Sequence, residues 1–145
     1  MNHIYPEPII TIVGPTAVGK TSISIKVAKE IKGEIIGLDS RQIYKNMSIG
    51  TAQPSREELS LIPHHLIGIK DPTFIISSGQ YADLVTKAVL DIVSRKKEPI
   101  ICGGAGLYHQ AISKGIFSGS KTDLNIRASL YDEYDQIGAE NMFSQ

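Results

Sequence analysis

Apolar residues along this 145-residue chain form short runs that alternate with stretches of helical periodicity. Four short apolar runs, bounded by glycine, proline or polar residues, predict buried strands near Ile9, Ile36, Leu66 and Ile100. The third of these runs is HHLIGIKD, from His64 to Asp71. Strands that alternate with helices predict an α/β fold with a parallel sheet covered on both faces.

Apolar residues at intervals of three and four predict the helices between these strands. The first helix follows Gly19, and the second spans about Gln80 to Lys96 with Ser77 or Ser78 as its N-cap. A third follows Gly104 in the stretch AGLYHQAISKG, and a fourth covers about 123–137.

A glycine-rich stretch, GPTAVGKTS, lies between the first strand and the first helix. It matches G-x-x-x-x-G-K-[ST] at every fixed position and in the expected strand-to-helix context, which an ordinary glycine turn does not require. Backbone N–H groups of such a loop surround anionic oxygens, a lysine adds charge, and a hydroxyl completes the shell of Mg²⁺. The predicted phosphate-binding residues are Gly14, Pro15, Thr16, Ala17, Val18, Gly19, Lys20 and Thr21.

A second polar stretch, LDSRQIYKNMSIGTAQP, leaves the carboxyl end of the second strand. Ligands of open parallel sheets bind outside the carboxyl ends of the strands, so Asp39 is expected to face the same crevice as the glycine-rich loop. An aspartate there can accept a proton or bind a metal through water. The alternative for Asp39 is a helix N-cap.

Four segments, in this order and spacing, resemble the N-terminal half of the tRNA dimethylallyltransferase (tRNA isopentenyltransferase) family: GPTAVGKTS, DSRQIYKNMSIGTAQP, PHHLIG and CGGAGLY. The resemblance is close from residue 8 to about residue 120 and looser toward Arg127 and Gly138. Many families share the loop, whereas DSRQIYKNMSIGTA is nearly private to this one. The resemblance implies an α/β, P-loop NTPase-like three-layer fold.

The resemblance also implies a reaction and its site residues. A dimethylallyl group would pass from dimethylallyl diphosphate to the exocyclic amine of the adenine beside the anticodon of a tRNA. The loop would hold the leaving diphosphate, with Mg²⁺ as cofactor at Thr21, and ATP is a further candidate occupant. Asp39 would be the general base. Ser40, Arg41 and Gln42 would contact the flipped-out adenine.

Two further positions are implied as tRNA contacts. The family has a threonine in its GG-Thr-GLY stretch, and this chain has Ala105 there, so one hydroxyl is missing. A lost hydrogen bond costs about 1 kcal/mol, which weakens function without abolishing it. Arg127 aligns with an arginine that contacts tRNA, and its alternative is a solvated charge on a helix.

The resemblance implies two regions, an incomplete α/β core over residues 1–120 and the start of a helical tRNA-binding insertion over residues 121–145. The first region carries a formal charge of +3 and the second −3, so neither has a basic patch that would by itself indicate nucleic-acid binding. Because the family pattern continues further, weak or absent prenylation is expected of these 145 residues. Two other functions remain open: a P-loop small-molecule kinase, and a non-catalytic module that binds nucleotide or diphosphate.

Composition also bears on the cellular location of the protein. No apolar run approaches the roughly 20 residues that cross a bilayer, so no membrane partner is expected. The N-terminus lacks the pattern of a signal peptide, and the single cysteine, Cys102, forms no internal disulfide. These features predict a cytoplasmic protein. Cys102 and the pair His64 and His65 are interpreted as structural residues rather than a nucleophile or metal ligands.

Overall fold

The computed structural model describes residues 8–114 and 123–144 and contains four strands and five helices within them. In chain order these elements are β1 (Ile10–Val13), α1 (Lys20–Ile31), β2 (Gly33–Leu38), α2 (Arg56–Leu61), β3 (His64–His65), α3 (Ser78–Ser94), β4 (Glu98–Gly103), α4 (Gly106–Lys114) and α5 (Leu124–Phe143). The alternation of strands and helices confirms the predicted α/β class.

All strand pairs are parallel, and the sheet order is β1-β4-β2-β3. The chain therefore crosses from β1 to β2, continues outward to β3, and returns to insert β4 between β1 and β2. At that return the strand order reverses, which is where open α/β sheets bind their ligands. The third strand is shorter than predicted, because Leu66 has a positive φ of 63° that ends the extended run.

Alternate residues of the central strands build two cores, one on each face of the sheet. Helix α1 covers one face, where Ile25 and Ala28 pack on Ile35 and Ile100. Helices α3 and α4 cover the other, and their buried residues pack on the neighbouring strand positions Ile36, Leu38 and Ile101. Central parallel strands buried on both faces are typical of a three-layer fold.

The helix boundaries follow local capping chemistry. Ser77 caps α3 in a capping box with Gln80, as the sequence predicts for this serine or its neighbour. A second capping box, Ser55 with Glu58, starts the short helix α2, which the periodicity did not predict. Helix α5 begins after Asp123 and is interrupted at Gly138, one residue beyond the predicted end.

The proposed boundary at residue 120 lies outside the described residues. Within the part of the chain that is described, no helix combines the length and the apolar character needed to cross a membrane.

A buried ionic network fixes the amino end of β2. Glu34 is only 4% exposed, and its carboxylate accepts hydrogen bonds from Arg95 through both oxygens and contacts His65 Nε2 at 2.7 Å. Arg95, at the C-terminal end of α3, also pairs with Asp91. The guanidinium of Arg95 and the ring of His65 lower the pKa of Glu34 to about 2 despite its burial. The carboxylate thereby joins α3, β2 and β3.

This network predicts how stability depends on pH. Because the pKa of Glu34 is lowered from 4.5 to about 2 in the folded state, its contribution is fully present above pH 4.5 and is lost as the pH falls toward 2. Glu34→Gln should lower the free energy of unfolding at pH 7 by about 2–3 kcal/mol. Urea unfolding measured from pH 7 to pH 2 should show this difference shrinking with falling pH.

Asp91→Asn is the matched control, because it removes the solvent-exposed partner of the same Arg95. Its effect should stay below about 1 kcal/mol. Equal effects of the two substitutions, or a Glu34→Gln difference that does not change with pH, would contradict the assignment.

Candidate functional site

Three strands end at the same level and bring the predicted site segments to one edge of the sheet. Val13 of β1 and Leu38 of β2 both pair with Gly103 of β4. The residues that follow, Gly14, Asp39 and Gly104, therefore leave the sheet side by side. With neighbouring strands about 4.8 Å apart, the starts of the glycine-rich loop and of the Asp39 segment are separated by roughly 10 Å.

Two glycines permit this convergence. A Cβ atom on Gly103 would overlap the backbone of Leu38, including its carbonyl oxygen. A Cβ atom on Gly104 would lie 3.1 Å from the carbonyl oxygen of Gly14. The backbone of Ala105 then donates a hydrogen bond to Leu38 O at 3.2 Å. The end of β4 is thus in contact with both neighbouring segments.

The glycine-rich loop, Gly14–Thr21, adopts a conformation that begins a helix directly. Gly19 has φ 84° and ψ 18°, a left-handed conformation that favours glycine, and α1 starts at the next residue. No side chain caps this helix start, so its first N–H groups have no side-chain acceptor among the described residues. The Lys20 ammonium folds across the loop and donates to Pro15 O at 2.6 Å. The loop thus combines a cation with a helix N-terminus.

Thr21 lies half-buried in the first turn of α1. Its hydroxyl is a hard oxygen donor, the kind of group that can bind Mg²⁺ together with phosphate oxygens. Among the described residues, no group of three histidine, cysteine or acidic side chains could hold a metal alone.

Asp39 caps a turn and not a helix, which corrects the N-cap alternative. Its Oδ1 accepts hydrogen bonds from the backbone N–H groups of Arg41, at 2.8 Å, and Gln42, at 3.3 Å. The residues after it form turns, because the aspartate carboxylate offers the backbone a local partner. Ser40 and Arg41 are exposed beside it. We refer to residues 39–42 as the Asp39 turn.

Gln42 is engaged within its own loop. Its Nε2 donates to the carbonyl oxygens of Thr51, at 3.1 Å, and Ala52, at 2.9 Å. Gln53 reciprocates, with Nε2 donating to Gln42 O at 2.7 Å and Tyr44 O at 2.8 Å. The two amides close the loop that follows the Asp39 turn, a role that the sequence did not indicate.

A tyrosine pair supports the Asp39 turn from the core. Tyr81 is fully buried, its ring lies 4.3 Å from that of Tyr108, and its hydroxyl contacts the backbone at Gly37 and Asp39. The sequence pattern did not reveal these hydroxyl contacts. The available signal was a tyrosine on an apolar helix face, since a buried phenol needs a polar partner.

The two remaining predicted tRNA contacts lie in different places. Ala105 is half-buried directly before α4, and its carbonyl accepts from His109 N–H at 2.9 Å, so it occupies the N-cap position without a capping oxygen. Arg127 is exposed on α5, where it lies over Tyr131 of the same helix with 5.8 Å between Cζ and the ring centroid. Ala105 therefore lies beside the Asp39 turn, because its backbone N–H donates to Leu38 O. The side chain of Arg127 contacts Tyr131 within α5.

The side chains of Cys102, His64 and His65 make contacts typical of structural residues. Burial raises the pKa of the Cys102 thiol, which suits a core residue better than a nucleophile. His65 belongs to the Glu34 network, and His64 Nδ1 contacts Ile62 O at 2.7 Å.

The family model described as IPP transferase matches residues 42–145. A tRNA dimethylallyltransferase of Halothermothrix orenii is 42% identical over 146 residues, covering 99% of this chain and 44% of the relative. The chain belongs to the IPP transferase family.

Solved structures agree with this assignment. The full-length tRNA isopentenylpyrophosphate transferase of Bacillus halodurans is similar with a TM-score of 0.75 and 41% identity, over 91% of this chain and 44% of that one. A eukaryotic dimethylallyltransferase acting on tRNA is similar with a TM-score of 0.71 and 28% identity, over 94% and 37%. The P-loop NTPase-like fold is therefore confirmed. The chain spans less than half the length of these relatives.

The close approach between Gly103 and Leu38 predicts that a side chain at residue 103 destabilises the protein. Gly103→Ala should lower the free energy of unfolding by at least about 2 kcal/mol, because the new methyl group must displace the backbone of Leu38. Gly106→Ala is the control, since a Cβ there meets nothing within 4 Å and lies in the first turn of α4. Urea unfolding should show Gly106→Ala unchanged or slightly stabilised. Similar stabilities for the two variants would contradict the packing described.

Proposed function

We propose that this chain carries the diphosphate-binding loop and the proton-accepting carboxylate of a tRNA dimethylallyltransferase. The observation that carries the proposal is the alignment of Val13, Gly103 and Leu38, which places the loop and the Asp39 turn at one sheet edge. Membership of the IPP transferase family, and relatives named for this reaction, support the choice of substrates.

The proposed reaction transfers a carbon group and not a phosphoryl group. The exocyclic nitrogen of an adenine in tRNA bonds to the terminal carbon of the dimethylallyl group. The bond between that carbon and the diphosphate oxygen breaks, and the diphosphate departs with the electron pair. The amine proton passes to the carboxylate of Asp39, whose orientation is already fixed by two backbone N–H groups.

The glycine-rich loop would stabilise the charge that grows on the leaving diphosphate. Its N–H groups at the start of α1 and the ammonium of Lys20 supply fixed positive potential. Lys20 Nζ would exchange its hydrogen bond to Pro15 O for an oxygen of the ligand. A Mg²⁺ ion bound through Thr21 would neutralise further charge on the diphosphate.

The tRNA would be bound by residues beside the carboxyl edge of the sheet and on α5. Ser40 and Arg41 are exposed next to Asp39 and are proposed to contact the extruded adenine, together with the part of Gln42 not used in its loop. Ala105 would offer backbone and methyl contacts where the family has a hydroxyl. Helix α5, with Arg127, is proposed as part of the helical tRNA-binding region, and the protein is proposed to act in the cytoplasm.

The direct test is incubation of the chain with total tRNA, dimethylallyl diphosphate and Mg²⁺, followed by mass spectrometry of the nucleosides. A prenylated adenosine that depends on all three components supports the proposal. Parallel calorimetry with dimethylallyl diphosphate measures binding independently of turnover. Phosphoryl transfer from ATP to a small molecule, without prenylation, would instead favour the kinase.

Lys20→Ala should weaken the binding of dimethylallyl diphosphate at least about tenfold, because a charge-assisted contact contributes about 1.5–3 kcal/mol. Isothermal titration calorimetry measures the change. Lys26→Ala, an exposed lysine further along α1, is the matched control and should bind as the unmodified chain does. Unchanged affinity in the Lys20 variant would exclude the loop as the diphosphate site.

Asp39→Asn should leave diphosphate binding nearly intact and slow the chemical step by about 10²–10⁴, the usual contribution of a general base. The asparagine oxygen can still accept from Arg41 and Gln42, so the turn is retained. Single-turnover prenyl transfer at saturating dimethylallyl diphosphate measures the rate, with Asp91→Asn as a control carboxylate. Loss of binding with an unchanged rate would make Asp39 a metal or structural residue.

A further inference from the structure

Tyr81 is the side chain of α3 that reaches the backbone of the Asp39 turn. It lies on the same helix face as Val85, Val89 and Ile92, and that face is buried against the sheet. Its ring is 0% exposed and packs on Tyr108 at a ring-centroid distance of 4.3 Å and an interplanar angle of 30°. The phenol is therefore held in one position by packing on all sides.

The hydroxyl of Tyr81 bridges the end of β2. It donates to Gly37 O at 2.6 Å and accepts from the backbone N–H of Asp39 at 3.4 Å. These two groups flank Leu38, the last residue of the strand. Burial raises the pKa of this phenol above its usual range, so the O–H donor persists throughout the neutral range. The bridge fixes the point at which the backbone leaves the sheet and enters the turn.

We infer that Tyr81 is a positioning residue for Asp39: its hydroxyl sets the direction in which the Asp39 turn leaves β2, and so the direction of the carboxylate. The inference rests on the proposed function for the role of Asp39 as proton acceptor. The carboxylate orients its own turn through Arg41 and Gln42, and those bonds do not tie the turn to the core. Tyr81 supplies that tie at the β2 end of the turn, beside the backbone bond from Ala105 N–H to Leu38 O, whereas the far end is held by Gly68 N–H, which donates to Gln42 O at 2.8 Å.

Amide hydrogen exchange on the 145-residue chain tests the tie without requiring turnover. Tyr81→Phe keeps the ring and removes the bridge. Exchange at the amides of Asp39, Arg41 and Gln42 should accelerate roughly three- to tenfold, while amides in the middle of α3 and in β4 should change less. Tyr108→Phe is the matched control, since it belongs to the same ring pair and its hydroxyl has no recorded hydrogen bond in the described chain.

Kinetics then tests whether the tie acts through the carboxylate. In single-turnover prenyl transfer, Tyr81→Phe should lower the rate constant roughly three- to tenfold and leave the half-saturating concentration of dimethylallyl diphosphate unchanged. In the Asp39→Asn background, the same substitution should cause no further loss, because the group it positions is already gone.

Two results would overturn the inference. One is unchanged exchange at the Asp39 turn, or acceleration spread equally over α3 and β4, which would mean general loosening. The other is a rate loss of the same size with and without the Asp39 carboxylate. Failure of the proposed function appears differently: Asp39→Asn would then leave the transfer rate unaffected, while hydrogen exchange still decides the role of Tyr81.

Discussion

The contact between Gly103 and the backbone of Leu38 is the constraint on which the rest of the site depends. A side chain at residue 103 would push β4 away from β2 at the level where both strands end. The same strand carries Gly104 against Gly14, so the glycine-rich loop is also held at this level. Two residues without side chains thus allow three backbone segments to meet, and this meeting defines the edge of the sheet that we propose as the active site.

The two ends of β2 show how one strand uses two carboxylates differently. At the amino end, Glu34 is buried and shared between Arg95 and His65, so its charge is compensated by side chains from neighbouring elements. At the carboxyl end, Asp39 is half-buried, and its recorded hydrogen bonds come from backbone N–H groups of its own turn. Backbone N–H donors fix the direction of a carboxylate without pairing it with a side-chain cation, which would make it a weaker proton acceptor. That difference suits Glu34 to stability and Asp39 to proton transfer.

The elements predicted correctly from the sequence are those that local chemistry determines. The glycine-rich loop, the cap of α3 and the four strands each depend on residues within one short segment. The periodicity predicted that one face of α3 carries Ala82, Val85, Val89, Ile92 and Val93; Val85, Val89 and Ile92 are buried, whereas Val93 is 40% exposed. The predicted length of β3 was wrong, because Leu66 has a positive φ and the chain beyond it, residues 68–70, pairs with residues 42–45 instead of continuing along β2.

The interactions that could not be predicted join residues far apart in the sequence. Glu34 and Arg95 are separated by 61 residues, and the Tyr81 hydroxyl reaches a carbonyl 44 residues away. Nothing in a local pattern indicates which strand end a helix side chain will face. The reciprocal bonds of Gln42 and Gln53 span only 11 residues, yet they depend on a loop whose turns have no regular periodicity. The resemblance to the family singles out the segment that contains Gln42 and Gln53, but it does not say which hydrogen bonds hold that segment in shape.

Our proposal of prenyl transfer over phosphoryl transfer rests on where the proposed proton acceptor lies. The N–H groups of the loop and the Lys20 ammonium would stabilise any diphosphate oxygen, so the loop alone does not distinguish a phosphoryl donor from a leaving group. The distinction depends on what approaches from the neighbouring strand. In this fold that neighbour is the Asp39 turn, a carboxylate oriented by backbone N–H groups and tied to the core through Tyr81. The backbones of the two segments leave the sheet roughly two strand spacings apart, and we propose that a five-carbon group and an adenine amine fit between them, whereas in-line phosphoryl transfer would need its acceptor directly at the terminal phosphate.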